Sequence, residues 1–151
     1  RRQRQMCIRD SNTTGPYSRF QLKQYIEQTQ NDLFADRQLR LMIENGNRQV
    51  VGIVDLCSFD PLHNRAEVGI MVDKSCRRQG IGRNALALLE EHCFRYLGIH
   101  QLFAYIAVEN LPSRRLFAAC GYKESAVLKE WAHTFGGGYT DVLVVQKLNL
   151  S

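Results

Sequence analysis

The chain has 151 residues, 44% hydrophobic and 23% charged, which suits a single domain over 1–151 with its own core. That balance excludes a disordered or collagen-like chain, and no apolar run approaches the roughly 18 residues of a spanning helix, so no membrane partner is expected. Lys and Arg outnumber Asp and Glu by 20 to 15, a surplus that fits a phosphorylated ligand, nucleic acid, or simply a basic surface.

The opening Arg1-Arg2-Gln3-Arg4-Gln5 has no apolar stretch behind it and does not read as a secretory signal. Ser11 to Pro16 reads as a loop. Phe20, Leu22, Tyr25 and Ile26 are spaced for one helical face from Ser18 onward. Arg40–Glu44 and Val50–Ser58 read as strands joined at the turn Asn45-Gly46-Asn47, and Ala66–Val72 as a third strand. After a basic loop from Cys76 to Arg83, the residues Ile81, Ala85, Leu88, Leu89, Cys93 and Tyr96 repeat at helical intervals until Gly98. Leu102–Val108 is a buried-type strand. Asn110 caps a short helix over Leu111–Cys120. Ala126–Trp131 and Asp141–Lys147 close the chain as strands around Gly136-Gly137-Gly138. This order predicts a mixed α/β domain with helices on the faces of one sheet.

Cysteines and histidines add no metal chemistry. Cys7, Cys57, Cys76, Cys93 and Cys120 are odd in number and lack a Cys-x-x-Cys pair, which points to a reducing cytosol. His63, His92, His100 and His133 have no ligand spacing.

The chemistry concentrates in Val68-Gly69-Ile70-Met71-Val72 and, after four residues, Arg77-Arg78-Gln79-Gly80-Ile81-Gly82-Arg83. A strand, a glycine loop and a helix start make an anion site, because first-turn N–H groups lack intrahelical partners and the dipole favours negative charge. Gly80 and Gly82 would let phosphate oxygens approach the backbone, and Arg77, Arg78 and Arg83 add donors. A dinucleotide fingerprint would need glycine where Ala85 stands, and no P-loop stretch exists. A basic turn ahead of an amphipathic helix, with no ligand, is the plain alternative.

Arg77-Arg78-Gln79-Gly80-Ile81-Gly82 resembles the Q/R-x-x-G-x-G/A acetyl-CoA loop of the GNAT N-acetyltransferases. Asn110, Ser113, Leu116-Phe117 and Gly121-Tyr122 resemble that family's asparagine block, and Gly138-Tyr139-Thr140-Asp141-Val142 is similar to a stretch of its spermidine and ribosomal-protein branch. The resemblance covers about Leu39 to Lys147. It implies the GNAT fold: a twisted, mostly antiparallel sheet flanked by helices, splayed at the family's fourth and fifth strands. The start looks as though the family's first strand is missing.

The resemblance implies acetyl-CoA as co-substrate, with its arm pairing along Ile70, Met71 and Val72 and an N–H there facing the thioester oxygen. It implies the pyrophosphate on Arg78 to Arg83, including Gln79 and Ile81, with Arg77 also binding the cofactor and Asn110, Ser113 and Phe117 on the other side of the arm. Glu67 is the implied general base, since Ala66, Val68 and Ile70 would desolvate it; a solvated strand glutamate, or one holding Arg65, is the other reading. A family tyrosine that protonates the leaving thiolate is replaced by Phe117, which leaves water, Tyr122, Tyr139 or no acid. The implied acceptors are small amines, polyamines or protein amino groups, and a homodimer fits the family. Glu27, Asp32, Asp36, Glu44 and Asp55 are scattered among basic residues rather than gathered for a polyamine. The competing functions are a CoA-binding sensor with weak chemistry and a nucleic-acid module, the latter disfavoured because the basic residues are dispersed.

Overall fold

A computed structural model describes residues 33–150 other than Arg78, and the backbone of three short strands ahead of them. These strands are β1 (Arg2–Gln3), β2 (Ile8–Arg9) and β3 (Gln21–Ile26). There follow α1 (Leu33–Asp36), β4 (Leu39–Glu44), β5 (Val50–Asp60), β6 (Arg65–Val72), a 3-10 turn (Lys74–Cys76) and α2 (Ile81–Glu91). A π-helical turn (His92–Tyr96), β7 (Gln101–Ala107), α3 (Leu111–Ala119), β8 (Lys123–His133) and β9 (Tyr139–Leu148) complete the fold. The strands form one sheet in the order β1-β3-β4-β5-β6-β7-β9-β8, with β2 also paired to β3. Neighbours are antiparallel except β6 and β7, which are parallel. This is the mixed, mostly antiparallel α/β sheet that the sequence predicts.

Alternation divides the sheet into two faces. Ala66 and Val68 of β6 and Leu102, Ala104 and Ile106 of β7 are buried, and join Ile81, Ala85, Leu88 and Leu89 of α2 in the core. The odd positions of β6 and β7 face the other way. The β4–β5 hairpin is closed by Asn45, whose Oδ1 accepts from the N–H groups of Asn47 and Gln49. The left-handed residue there is Arg48 (φ 61), not Gly46.

Two expectations fail. The helix expected from Ser18 is instead a strand over Gln21–Ile26, paired with β4 from Gln21↔Glu44 to Gln24↔Leu41; positions 18–20 lie outside the described residues. Leu22 and Ile26 share a face at strand periodicity as well as near helical spacing, and the neighbouring strand decides between them. Tyr96 is exposed rather than core, because the wider π turn breaks the three- and four-residue phase. Ile99, which donates its N–H to the Cys93 carbonyl, is the residue buried after the turn.

Candidate active site

The site begins where the sheet divides. β6 and β7 pair at Arg65↔Gln101, Ala66↔Leu102 and Glu67↔Phe103, and no further. Beyond that point β6 stays paired with β5 as far as Gly52↔Val72, and β7 with β9 as far as Ala107↔Val142. Each wall of the fork is therefore held on its outer side only. Val68–Val72 offers about 16 Å of strand edge whose inward backbone groups have no ladder partner among the described residues, as an added strand would need.

Glu67 stands at the apex of this fork, half-buried, opposite Cys57 on β5 and Phe103 on β7. Burial, and next the Glu67 carboxylate, push the Cys57 thiol up, which places the two side chains together. Arg65 does not hold Glu67; it pairs with Asp60 at 3.6 Å. Along the same edge Ile70 and Val72 pack partly against the core and Met71 is exposed.

At the open end, Asp73 caps the 3-10 turn by accepting from the Ser75 N–H at 3.0 Å, which is the main reason its carboxyl is held below the usual range. Arg77, Gln79, Gly80 and Arg83 are exposed at the start of α2, and Arg78 lies outside the described residues. Gly80 is the N-cap residue at φ 76, and the cap makes no side-chain hydrogen bond among the described residues. The first-turn donors of an eleven-residue helix are thus left for a ligand, and the left-handed cap is a conformation glycine adopts without strain. Gly82 has a further role: a Cβ there would lie 3.2 Å from Leu116 Cδ2, so its bareness lets α3 approach α2. Ile81 is a core residue.

Asn110 caps α3, its Oδ1 accepting from the Ser113 N–H at 3.2 Å. Phe117 is 3% exposed and packs edge-to-face on Tyr122, with centroids 4.9 Å apart. Tyr122 is itself buried, and burial together with the Glu90 carboxylate drives its hydroxyl far above the usual range. Tyr139 is exposed and meets the His133 ring edge-to-face. Asp141 serves β8, accepting from the Glu130 N–H at 2.9 Å and the Lys129 ammonium at 3.2 Å. Of the scattered acids, Glu27 and Asp32 lie outside the described residues, and Asp55 is bound twice by Arg40, at 2.8 and 3.0 Å. The sequence reading missed Phe103 and Tyr105 on β7; the signal was their position two residues apart on a strand destined to face Glu67.

The family model described as an acetyltransferase (GNAT) domain matches residues 2–123. The chain belongs to the GNAT acetyltransferase family. This GNAT chain is 27% identical over 103 residues to a spermidine N(1)-acetyltransferase of Vibrio cholerae, covering 68% of this chain and 59% of that protein. It is 34% identical over 102 residues to a putative phosphinothricin acetyltransferase of Bacillus subtilis, covering 64% and 59%. A dodecameric spermidine N-acetyltransferase from Vibrio cholerae has a similar structure, with a TM-score of 0.72 at 25% identity over 78% of this chain and 68% of that one. The chain spans about three-fifths of the length of these two curated relatives. The edge of β6 and the glycine-capped α2 lie within the matched residues, while Gly138–Val142 lies beyond them.

Proposed function

We propose that the chain is an acetyl-CoA-dependent N-acetyltransferase acting on an amine. The observation that carries this reading is the fork: a one-sided strand edge running from Glu67 to the uncapped start of α2. The donor fits these residues. Val68–Val72 would pair with an extended amide-bearing arm, and the first turn of α2 with Arg77 and Arg83 would hold phosphates. Asn110 and Ser113, at the head of α3, and Phe117 would flank the arm from the other side.

When bound, acetyl-CoA supplies an acyl thioester whose thiolate can leave. An alkylammonium has a pKa of about 10.4, so the acceptor must lose a proton before attack. Glu67 accepts it, directly or through water, from its place at the apex. Transfer then forms the C–N bond and breaks the C–S bond, and the thiolate takes a proton from water. Phe117 has none to give, and Tyr122, packed behind Phe117 against Glu90, is set against giving one.

Small amines, polyamines and protein amino groups all remain within the proposed acceptor class, and the spermidine acetyltransferase relative supports an amine. A homodimer is part of the proposal, supported by β8, which ends the sheet as an edge with Val127 and Trp131 exposed. Cytoplasmic residence is supported by four free cysteines among the described residues. No helix among the described residues is long and apolar enough to cross a membrane.

The test is acetyl-CoA binding. Acetyl-CoA should raise the Tm of the chain, and an oligonucleotide should not. Gly80→Val should weaken acetyl-CoA binding at least about tenfold at a stability cost of only about 1–2 kcal/mol, since a β-branched residue is strained in the left-handed region. Unchanged affinity in that variant would put the donor elsewhere.

A further inference from the structure

One rung of the sheet crosses the apex of the fork. Cys57 of β5 stands opposite Glu67 of β6, and Glu67 opposite Phe103 of β7. Directly opposed residues of an antiparallel pair point to one face, with Cβ atoms about 4.5–5.5 Å apart. The adjacent rung, Leu56↔Val68, is buried in the core, so Cys57 and Glu67 share the other, half-buried face. The Phe103 ring brings no polar hydrogen to the carboxylate, and the Cys57 thiol does. That thiol stays protonated near neutral pH, because burial first and the Glu67 carboxylate next push it up. The Ser58 hydroxyl opposes this push and Asp55 adds to it. The charges around the rung are matched elsewhere: Arg65 pairs with Asp60, and Arg40 bonds Asp55 twice. On β7 the titratable side chain of this face is Tyr105, packed edge-to-face on the Phe103 ring.

We propose that Cys57 is a positioning residue for Glu67: its thiol donates to one carboxylate oxygen and leaves the other turned to the amine. This inference rests on the acetyltransferase reading, and it gives the base of that reading a fixed orientation. A donor on the charged form of a carboxyl favours that form, so the thiol also keeps Glu67 ready to accept a proton as pH falls. Cys57 forms no bond to the acetyl group and keeps its own proton throughout.

The experiment measures thiol release from acetyl-CoA with n-butylamine and with spermidine across pH, in wild type, Cys57→Ser and Cys57→Val. Serine keeps a donor, and valine keeps the bulk without one. Cys57→Ser should hold kcat within about twofold of wild type. Cys57→Val should lose about threefold to tenfold in kcat at about pH 6, the worth of one hydrogen bond, and recover at high pH. The KM of acetyl-CoA should be unchanged in both. A packing role predicts the opposite order, since valine suits a half-buried strand better than serine. A second measurement needs no turnover. Coupling between two groups is reciprocal, so the Cys57 thiol, followed by the NMR shift of its Cβ, should titrate at lower pH in Glu67→Gln than in wild type. Wild-type kcat in Cys57→Val at about pH 6, a loss that persists unchanged to high pH, or an unmoved thiol titration in Glu67→Gln would overturn the assignment. A moved thiol titration with no release of coenzyme A by the wild type would instead remove the acetyltransferase reading, and the positioning role with it.

Discussion

At position 117 a phenyl ring stands where the family often carries a proton-donating tyrosine. Its 3% exposure and its edge-to-face contact with Tyr122 make it a core residue first. Phe117→Ala should therefore cost about 3–5 kcal/mol in urea unfolding, the range for emptying a buried aromatic site. Phe117→Tyr should keep at least wild-type turnover, because the reaction does not depend on an acid there. A large fall in turnover with unchanged stability would show that the shape of this ring, rather than its chemistry, sets the rate. The neighbouring Asn110 carries two meanings at once: the family pattern reads it as a donor contact, and the fold uses its side-chain oxygen as the cap of α3.

Between elements, bare backbone sets the spacing. A Cβ on Gly52 would come 2.6 Å from the Met71 carbonyl oxygen, a contact between backbones that no rotamer relieves. At Gly82 the obstacle is the movable end of Leu116, at 3.2 Å. Gly52→Ala should therefore destabilise the chain by about 1–3 kcal/mol, and Gly82→Ala by less, in chemical unfolding. Equal losses would mean that β5 and β6 yield as easily as a leucine side chain. The α2 helix and its basic loop were legible in the sequence because glycine, arginine and a 3.6-residue repeat are local signals. β6 and β7 were legible as strands for the same reason, but their parting after Glu67↔Phe103 was not legible from the residues alone. It is decided by pairing with β5 and β9, strands distant in sequence, and the family resemblance alone implied it. The segment at Gln21–Ile26 was misread because Leu22 and Ile26 satisfy two periodicities, and pairing with β4 chose one.

On the scale of the whole molecule, a part-buried ion pair ties the helical layer to the far strands. Lys147 of β9 bonds the Glu90 carboxylate of α2 at 2.5 Å and the Cys120 carbonyl after α3 at 2.6 Å. Burial raises the Glu90 carboxyl above its ordinary range, and Lys147 pulls it back. Lys147→Met would leave Glu90 buried without its cation and raise it further. The folded chain then binds a proton more readily than the unfolded chain, so stability is lost as pH rises through the folded value. The deficit should reach about 3–5 kcal/mol near neutral pH and shrink as pH falls below the ordinary carboxylate range, where Glu90 is protonated in both states. A pH-independent deficit in urea unfolding would rule this out. The central claim, that Glu67 at the apex of the fork deprotonates an amine for acetyl transfer, is tested most directly by the pH profile of thiol release in Glu67→Gln. Turnover should fall about 10²–10⁴-fold near neutral pH with acetyl-CoA affinity unchanged, and recover at high pH as the amine loses its own proton. A wild-type rate with a wild-type pH profile would contradict the account and leave Glu67 as a strand residue.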